Sequence, residues 1–470
     1  MSISSSLLIS QSGLRATELR AGLVSANIAN AQTEGYVRRG VEQTSVGAGG
    51  DGRTVDVQVV RRVDERLVGM SRSAQSDVSY HETRAEMLNS YLTSLGEPND
   101  ALSPAARLST FTAGMDLLMN NPADTSVQRD VLNRADGLVR SLNDASMNLD
   151  QVRASTRDDT FTRVEQVNRS LQTLAQLNAQ ITPGSSIGSS PDIMDQVSLE
   201  LSRLSEHMDI TARYDATGRV NVQTGEGTEL LVQTDAVEVS FVGLTIMAGD
   251  IDITPARDGA RGFSSGGIAG NLALLSEDLP QMERQLDEMA SALVQAFEDA
   301  DESLGAGAAG LFTDGGNAFN AANLDGLAGR LAVNDAVRPE TGGALWRLRD
   351  GMGAAAQGPA GDAAQLDAFI RALDTPFAVA PETGLGSPQR LSDYAASMVG
   401  DQQKVGVRAR ADAEQATVSL RAFESARGEI EGVNVDQELQ KLLEIEQAYS
   451  ANAKVLSSLS SMVDDLLAAF

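Results

Sequence analysis

The sequence predicts a mainly α-helical, multi-domain chain with a smaller β part, nested so that its two ends pair as a coiled coil. Three observations carry that prediction: seven-residue apolar repeats at both ends, long helical periodicities between them, and a central interval where the period falls to two. Composition agrees, because 42% of the 470 residues are apolar but only 4% are aromatic, a balance that favours thin helical packing over large β cores.

At the N-terminus, Leu7, Leu14, Ala21 and Ile28 form one seven-spaced row, and Ile3, Ser10, Thr17 and Val24 form a second with two hydroxyl members. The pattern breaks at Asn30 to Gly35, where glycine supplies the positive φ a tight turn needs. A glycine-rich loop from Gly47 to Gly52 and alternating Val55, Val57 and Val59 read as an extended connector. From Asp64 to Leu95 the helical period returns with Leu67, Ala74, His81, Leu88 and Leu95. Another helix spans Leu102 to Met119 and stops at Asn120-Asn121-Pro122, and the longest tract runs from Asp124 to Ile181 and ends at Pro183-Gly184.

After a helix over Pro191 to His207, the segments Ile210 to Tyr214 and Arg219 to Gln223 flank Asp215-Ala216-Thr217-Gly218 as a hairpin. Short strands follow near residues 230–232, 237–242 and 251–253. An amphipathic helix covers about Asn271 to Asp301, the Gly, Ala and Pro-rich stretch 305–388 reads as a mixed module, and helix resumes at Leu391. Beyond Gly432, Leu442, Tyr449, Leu456, Val463 and Phe470 form one seam row and Ile445, Asn452, Leu459 and Leu466 the other. A lone polar Asn452 on such a row has two equal readings, a residue that fixes register at some cost in stability and a surface asparagine the seam merely tolerates. The expected nest is a terminal coiled-coil domain (1–62 with 432–470), a helical bundle (63–208 with 268–304 and 390–431) and a β-rich or mixed outer module (209–267 with 305–389).

Charge excludes several functions. With 37 basic against 65 acidic residues the formal net charge is −28, which repels nucleic acid and anionic lipid. The chain has no cysteine, so disulfides, thiolate nucleophiles and cysteine-ligated zinc are ruled out. Neither an apolar signal-peptide core nor a membrane-spanning run is visible, so membrane insertion and a cleaved signal are not expected.

Catalytic patterns fail on their context. Gly262-Phe263-Ser264-Ser265-Gly266 fits a nucleophile elbow, but that mechanism needs a downstream histidine, and the only two, His81 and His207, lie upstream. Gly305-Ala306-Gly307-Ala308-Ala309-Gly310 fits a dinucleotide fingerprint but follows Glu298, Asp299, Asp301 and Glu302 instead of a strand, and such a carboxylate cluster repels phosphate. Two histidines without cysteine build no structural zinc site of the usual kind. No catalytic, cofactor or metal residue is therefore expected.

Both ends carry a family resemblance. Ser5-Ser6-Leu7-Leu8, Ser12-Gly13-Leu14-Arg15-Ala16, Asn27-Ile28-Ala29-Asn30-Ala31 and Thr33-Glu34-Gly35-Tyr36 resemble the N-terminal signature of the rod, hook and hook-associated proteins of the bacterial flagellum. Glu431-Gly432-Val433-Asn434-Val435-Asp436-Gln437-Glu438-Leu439 and Gln447-Ala448-Tyr449-Ser450-Ala451-Asn452-Ala453-Lys454-Val455 resemble the C-terminal one. The family usually has proline where this chain has Glu34. A helical tract from Asp64 to Ile181, Leu279-Pro280, Gln285-Leu286-Asp287 and Gly310-Leu311-Phe312 are similar to the FlgK hook-associated family.

That resemblance implies a non-enzymatic structural subunit at the hook–filament junction, assembling head to tail through its terminal helices. Asn27, Asn30, Gly35 and Tyr36 are then the family motif, and the two seams form the polymerisation surface. Implied partners are copies of itself, the hook protein, a second junction protein of the FlgL type and an export chaperone of the FlgN type. The implied location is the extracellular flagellum, reached by type III export without a cleaved signal. A hook or rod subunit, with a mainly β middle, is the alternative; an axial protein bearing a hydrolase insertion is a remoter one.

Overall fold

Where the sequence offers no breaker, helical periodicity becomes long helix. In a computed structural model the described residues are 3–48, 52–181 and 191–468; the expected helix stop at Pro183-Gly184 lies outside them. The elements are α1 (Ile3–Ala29), β1 (Arg39–Ala48), β2 (Gly52–Arg61), α2 (Glu65–Leu95), α3 (Pro104–Asn120), α4 (Thr125–Gln180) and α5 (Pro191–His207). Seven short strands follow, β3 (Ile210–Tyr214), β4 (Val220–Thr224), β5 (Glu229–Val232), β6 (Asp235–Ala236), β7 (Val239–Val242), β8 (Thr245–Ala248) and β9 (Ile251–Asp252). Next come α6 (Gly267–Ala273), α7 (Leu279–Ala300), β10 (Phe312–Asp314), α8 (Leu327–Arg330), β11 (Leu331–Val333), α9 (Arg347–Asp350), α10 (Ala364–Asp374), α11 (Leu391–Glu431) and α12 (Val435–Ala468). The fold is mainly α with small antiparallel sheets.

Local chemistry accounts for the boundaries. Ser103 caps α3, its Oγ accepting from the Ala106 amide at 3.2 Å, with Pro104 as the first helical residue. α4 runs 56 residues without a proline. α6 and α7 form one continuous helix through a π-helical turn at Leu274–Asp278. Pro280 explains that turn: its ring has no N–H and crowds the carbonyl four residues back, which a widened turn relieves.

Two differences from the sequence reading concern strands. The segment read as an extended connector is half of a hairpin of two ten-residue strands, β1 pairing β2 from Arg39 opposite Arg61 to Ala48 opposite Gly52. β1 is hard to see because Gly-Val-Glu-Gln-Thr-Ser-Val-Gly lacks clean alternation and is held by its partner strand. In the central β part, β6 and β8 join the expected strands, giving a sheet ordered β3-β4-β5-β6 and another ordered β7-β8-β9.

The chain divides into two compact units, Met1–Ser79 with Arg163–Ala269 and Gln415–Phe470, and Tyr80–Thr162 with Gly270–Glu414. Segments 209–267 and 305–389 thus fall in different units. In the first, both small sheets are fastened to α4 by asparagines ten residues apart. The Asn168 amide exchanges two 2.8 Å hydrogen bonds with the Val239 backbone, donating to its carbonyl and accepting from its N–H. Asn178 does the same to Val220, at 2.8 and 3.0 Å.

In the second unit, the few aromatics are concentrated. Phe111, Phe297, Phe312 and Phe369 are fully buried, with ring centroids between 4.9 and 5.9 Å apart along their contacts. The same unit holds a buried polar chain: Tyr91 donates to the Gln402 side chain, Gln402 donates to Gln285, and Tyr394 donates to the Gln285 carbonyl.

Asp287 belongs to the same unit, its carboxylate accepting from the Gly326 and Ala328 amides at 2.8 Å each. Burial pushes this carboxyl from the ordinary 3.8 up to about 6, overcoming the opposite pull of the two amides. The folded chain therefore holds this proton more tightly than the unfolded one. The resulting stabilisation is complete below the ordinary carboxylate range and is lost as pH rises through about 6. Urea denaturation should show the unit gaining stability between pH 7 and pH 5, and Asp287→Asn should shrink that gain.

Candidate functional site

The seven-residue seams at the two ends meet: α1 packs along α12 on one side and over β2 on another. On α1 the row with hydroxyls is the more buried, Ser10, Thr17 and Val24 being inaccessible while Leu7, Leu14, Ala21 and Ile28 are half-buried. Thr17 can occupy the seam because its Oγ1 donates to the Leu14 carbonyl at 2.7 Å, satisfying the hydroxyl within its own helix.

On α12, Leu442, Ile445, Asn452, Leu456, Leu459 and Val463 are half-buried. Tyr449 is 46% exposed, while Ala448 beside it is half-buried. Phe470 and the Leu466 side chain lie outside the described residues. Asn452 faces Gly13, where a methyl group would stand 3.3 Å from its Nδ2. The glycine gives the two helices room at this level.

The densest polar contact between the ends is built on Asn27, which is 1% exposed. Its Oδ1 accepts from the Tyr36 hydroxyl at 2.8 Å and the Arg39 amide at 3.0 Å. Its Nδ2 donates to the Arg39 carbonyl at 3.0 Å and to Glu438 Oε2 at 3.1 Å. All four hydrogen-bonding positions of the amide are therefore used. One side chain ties the end of α1, the turn after it, the start of the hairpin and the first turns of α12.

The turn is shaped to allow this. Asn30 donates to the Ala26 carbonyl at 2.9 Å, Thr33 N–H to the Asn30 carbonyl at 2.9 Å, and Gly35 has φ +75°. That is the left-handed conformation expected of it, reached with Glu34 in the preceding position. Tyr36 is thereby returned onto Asn27, and burial raises its hydroxyl's pKa against the lowering influence of the nearby Arg39 cation.

Further clasps flank this centre. Arg39 and Arg61 stand opposite each other on β1 and β2, a like-charge pairing that α5 neutralises. Asp195 lies 2.8 Å from Arg61 and 3.5 Å from Arg39, and Asp192 also pairs with Arg39. Burial raises the Asp195 carboxyl despite both cations. The Arg38 amide donates to the Glu431 carbonyl at 2.8 Å, tying the hairpin to the end of α11.

Glu438, Arg39, Arg61 and Asp195 were not among the residues singled out as sites from the sequence. Glu438 had a visible signal: it lies seven residues before Ile445, on the same row as Asn452 and Leu459, and it is 1% exposed. The other three depend on a strand pairing and a helix contact that no local pattern announces.

One of the rejected catalytic patterns has a structural explanation. In Gly262-to-Gly266, a methyl at Gly262 would stand 2.2 Å from the Ile253 carbonyl oxygen and Gly266 has φ +99°, so both glycines serve close backbone approach. Ser264 is exposed, and the buried Ser265 donates to Ser76 at 2.9 Å. Among the described residues no group of His, Asp and Glu could hold a metal ion, and no helix is long and apolar enough to cross a membrane.

Residues 85–319 match the family model for the flagellar hook-associated protein FlgK helical domain, and residues 427–469 match that for the flagellar basal body rod FlgEFG protein C-terminal region. The chain is 22% identical to flagellar hook-associated protein 1 of Bacillus subtilis over 94% of its length and 93% of that protein's. It is 26% identical to the Salmonella typhimurium protein of the same name over 61% of its length, spanning 54% of that relative. Among solved structures, the flagellar hook junction protein FlgK from Burkholderia pseudomallei aligns with TM-score 0.44 and 22% identity, over 53% of this chain and 47% of that one.

Asn27→Leu should destabilise the first unit by on the order of 3 kcal/mol in urea denaturation, because it leaves buried polar partners unpaired. Asn27→Asp should be more damaging at neutral pH than at pH 4, since it sets a second carboxylate against Glu438. Gly35→Ala should cost about 1 kcal/mol through its left-handed backbone alone.

Proposed function

The chain belongs to the flagellar hook-associated protein FlgK family, whose helical-domain model covers half of its length, and on that footing we propose that it is a structural subunit of the hook–filament junction. It works by assembly, without catalysis. The observation that carries this reading is the union of the ends through Asn27 and Glu438, which presents α1 and α12 as one paired element with apolar side chains still outward. Leu439, Leu443, Val455 and Met462 on α12 are all exposed, more apolar surface than one helix partner covers.

In this reading the paired ends, 1–62 with 432–470, are the polymerisation core, and the two seams together with Asn27, Asn30, Gly35 and Tyr36 form its working surface. A head-to-tail contact repeats the same surfaces from copy to copy around a tube, as a cyclic or helical assembly requires. Hook protein on one side, a FlgL-type junction protein on the other and a FlgN-type chaperone before export complete the partner set. The location is the external flagellum, reached by type III export. A rod or hook subunit with a mainly β middle fits less well, since α2, α3, α4, α7 and α11 make the described middle predominantly helical.

Removing Leu439 to Phe470 should leave a folded helical core by circular dichroism that no longer joins hooks. Normal capping of hooks by that truncation would sink the proposal. Asn452→Leu should keep the helices paired while loosening their register, visible as altered hydrogen exchange along α12.

A further inference from the structure

The acidic excess is unevenly spread along the chain. Residues 1–62 carry seven basic and five acidic side chains, and residues 432–470 carry two basic and six acidic. The two ends are thus net +2 and −4, while residues 63–431, with 28 basic and 54 acidic side chains, hold −26 of the formal −28. That charge lies at the surface: among the described residues of this middle portion, only the carboxylates of Asp195, Asp287, Asp301, Asp314 and Glu431 are buried. Ion pairing leaves the excess untouched, because each pair removes one charge of either sign.

Two opposed effects act when copies come side by side. The N-terminal segment of one, at +2, attracts the C-terminal segment of the next, at −4, whereas two middle portions at −26 each repel. Coulomb energy follows the product of the charges, so the repulsive product exceeds the attractive one roughly eightyfold. At low salt repulsion wins, since charges there act over a Debye length of ~30 Å at 0.01 M; at 0.15 M the length is ~8 Å and most of the repulsion is screened. The exposed Leu439, Leu443, Val455 and Met462 of α12 carry no charge for salt to screen. Their contribution to association persists where the repulsion fades.

We infer that the acidic excess of residues 63–431 is an electrostatic brake on self-association: copies are held apart at low ionic strength and join through their near-neutral ends once salt screens them. A net charge far from zero keeps a protein monomeric in this way. The inference rests on the assembly reading above and adds ionic control to it. The brake also acts among copies already placed on one hook. Each bound copy repels the next, so filling is anticooperative at low salt and loses that character as salt rises.

The test titrates full-length chain onto isolated hooks at about 20 and about 200 mM NaCl and counts the copies that pellet with them. The concentration for half-filling should fall about tenfold or more with the rise in salt, and the titration should steepen. Glu86→Gln, Asp158→Asn, Glu277→Gln and Glu340→Gln, all at exposed positions, bring the middle portion to −22. Together they should lower the half-filling concentration about twofold at low salt and leave it unchanged at high salt, because repulsion follows the square of this charge. Arg129→Gln, Arg157→Gln, Arg408→Gln and Arg421→Gln, also exposed, bring it to −30 and should do the reverse. Circular dichroism melts verify folding, and where a set misfolds its single members should each move in the same direction. Filling that weakens or stays constant as salt rises overturns the brake and leaves the junction reading standing. A salt gain that both charge sets leave untouched also overturns it, and assigns the gain to apolar surface alone. A gain without steepening overturns it too, since the repulsion then lies between chain and hook. Failure of the unaltered chain to join hooks at either salt removes the reading beneath it.

Discussion

The paired ends depend on the Asn27 carboxamide. It is buried where α1 stops, and burying an amide is favourable only when its donors and acceptors are all matched. Here they are matched by four groups from three residues, the Tyr36 hydroxyl, both backbone groups of Arg39 and the Glu438 carboxylate. The turn through Gly35 exists to bring Tyr36 and Arg39 back to it. Glu438 in turn fixes where the first turns of α12 lie, so the seam that follows inherits its starting position from one hydrogen bond.

The same device recurs in the first unit. Asn168 and Asn178 each take the place of a neighbouring strand, exchanging two hydrogen bonds with one residue of β7 and one of β4, as Asn27 does with Arg39 in β1. Short, narrow sheets bury little apolar area, and they leave edge N–H and C=O groups that must be paired. A helix-borne amide satisfies an edge residue and fixes the sheet to the helix together. In the second unit, fixation is instead apolar, through the phenylalanine cluster. Four of the eleven phenylalanines do this work, so a low aromatic content is compatible with a well-defined core.

Charge is arranged with comparable economy. Most interior arginines are matched to carboxylates, including Arg84 with Asp278 and Arg349 with Asp350, as the cost of an isolated buried charge requires. The large acidic excess remains on the surface.

The amino-acid sequence by itself determined the mainly helical class, most helix limits, the first central hairpin and the two seams, because 3.6-residue and seven-residue periods are local signals that survive without a partner. It also identified Asn27, Asn30, Gly35 and Tyr36 through family signatures, although no pattern said what Asn27 holds. Only the tertiary structure decided that 39–61 is a hairpin, that Ser10 and Thr17 lie on the buried row, that Tyr449 is exposed, and that Glu438, Arg39, Arg61 and Asp195 belong to the site. The hairpin and the Asn27 contact are set by groups distant in sequence, a partner strand and a carboxylate 411 residues from the amide it accepts from, and the buried row on α1 admits Thr17 because its hydroxyl is satisfied within its own helix. Contacts of that kind have no period, and they become visible only when the ends are brought together.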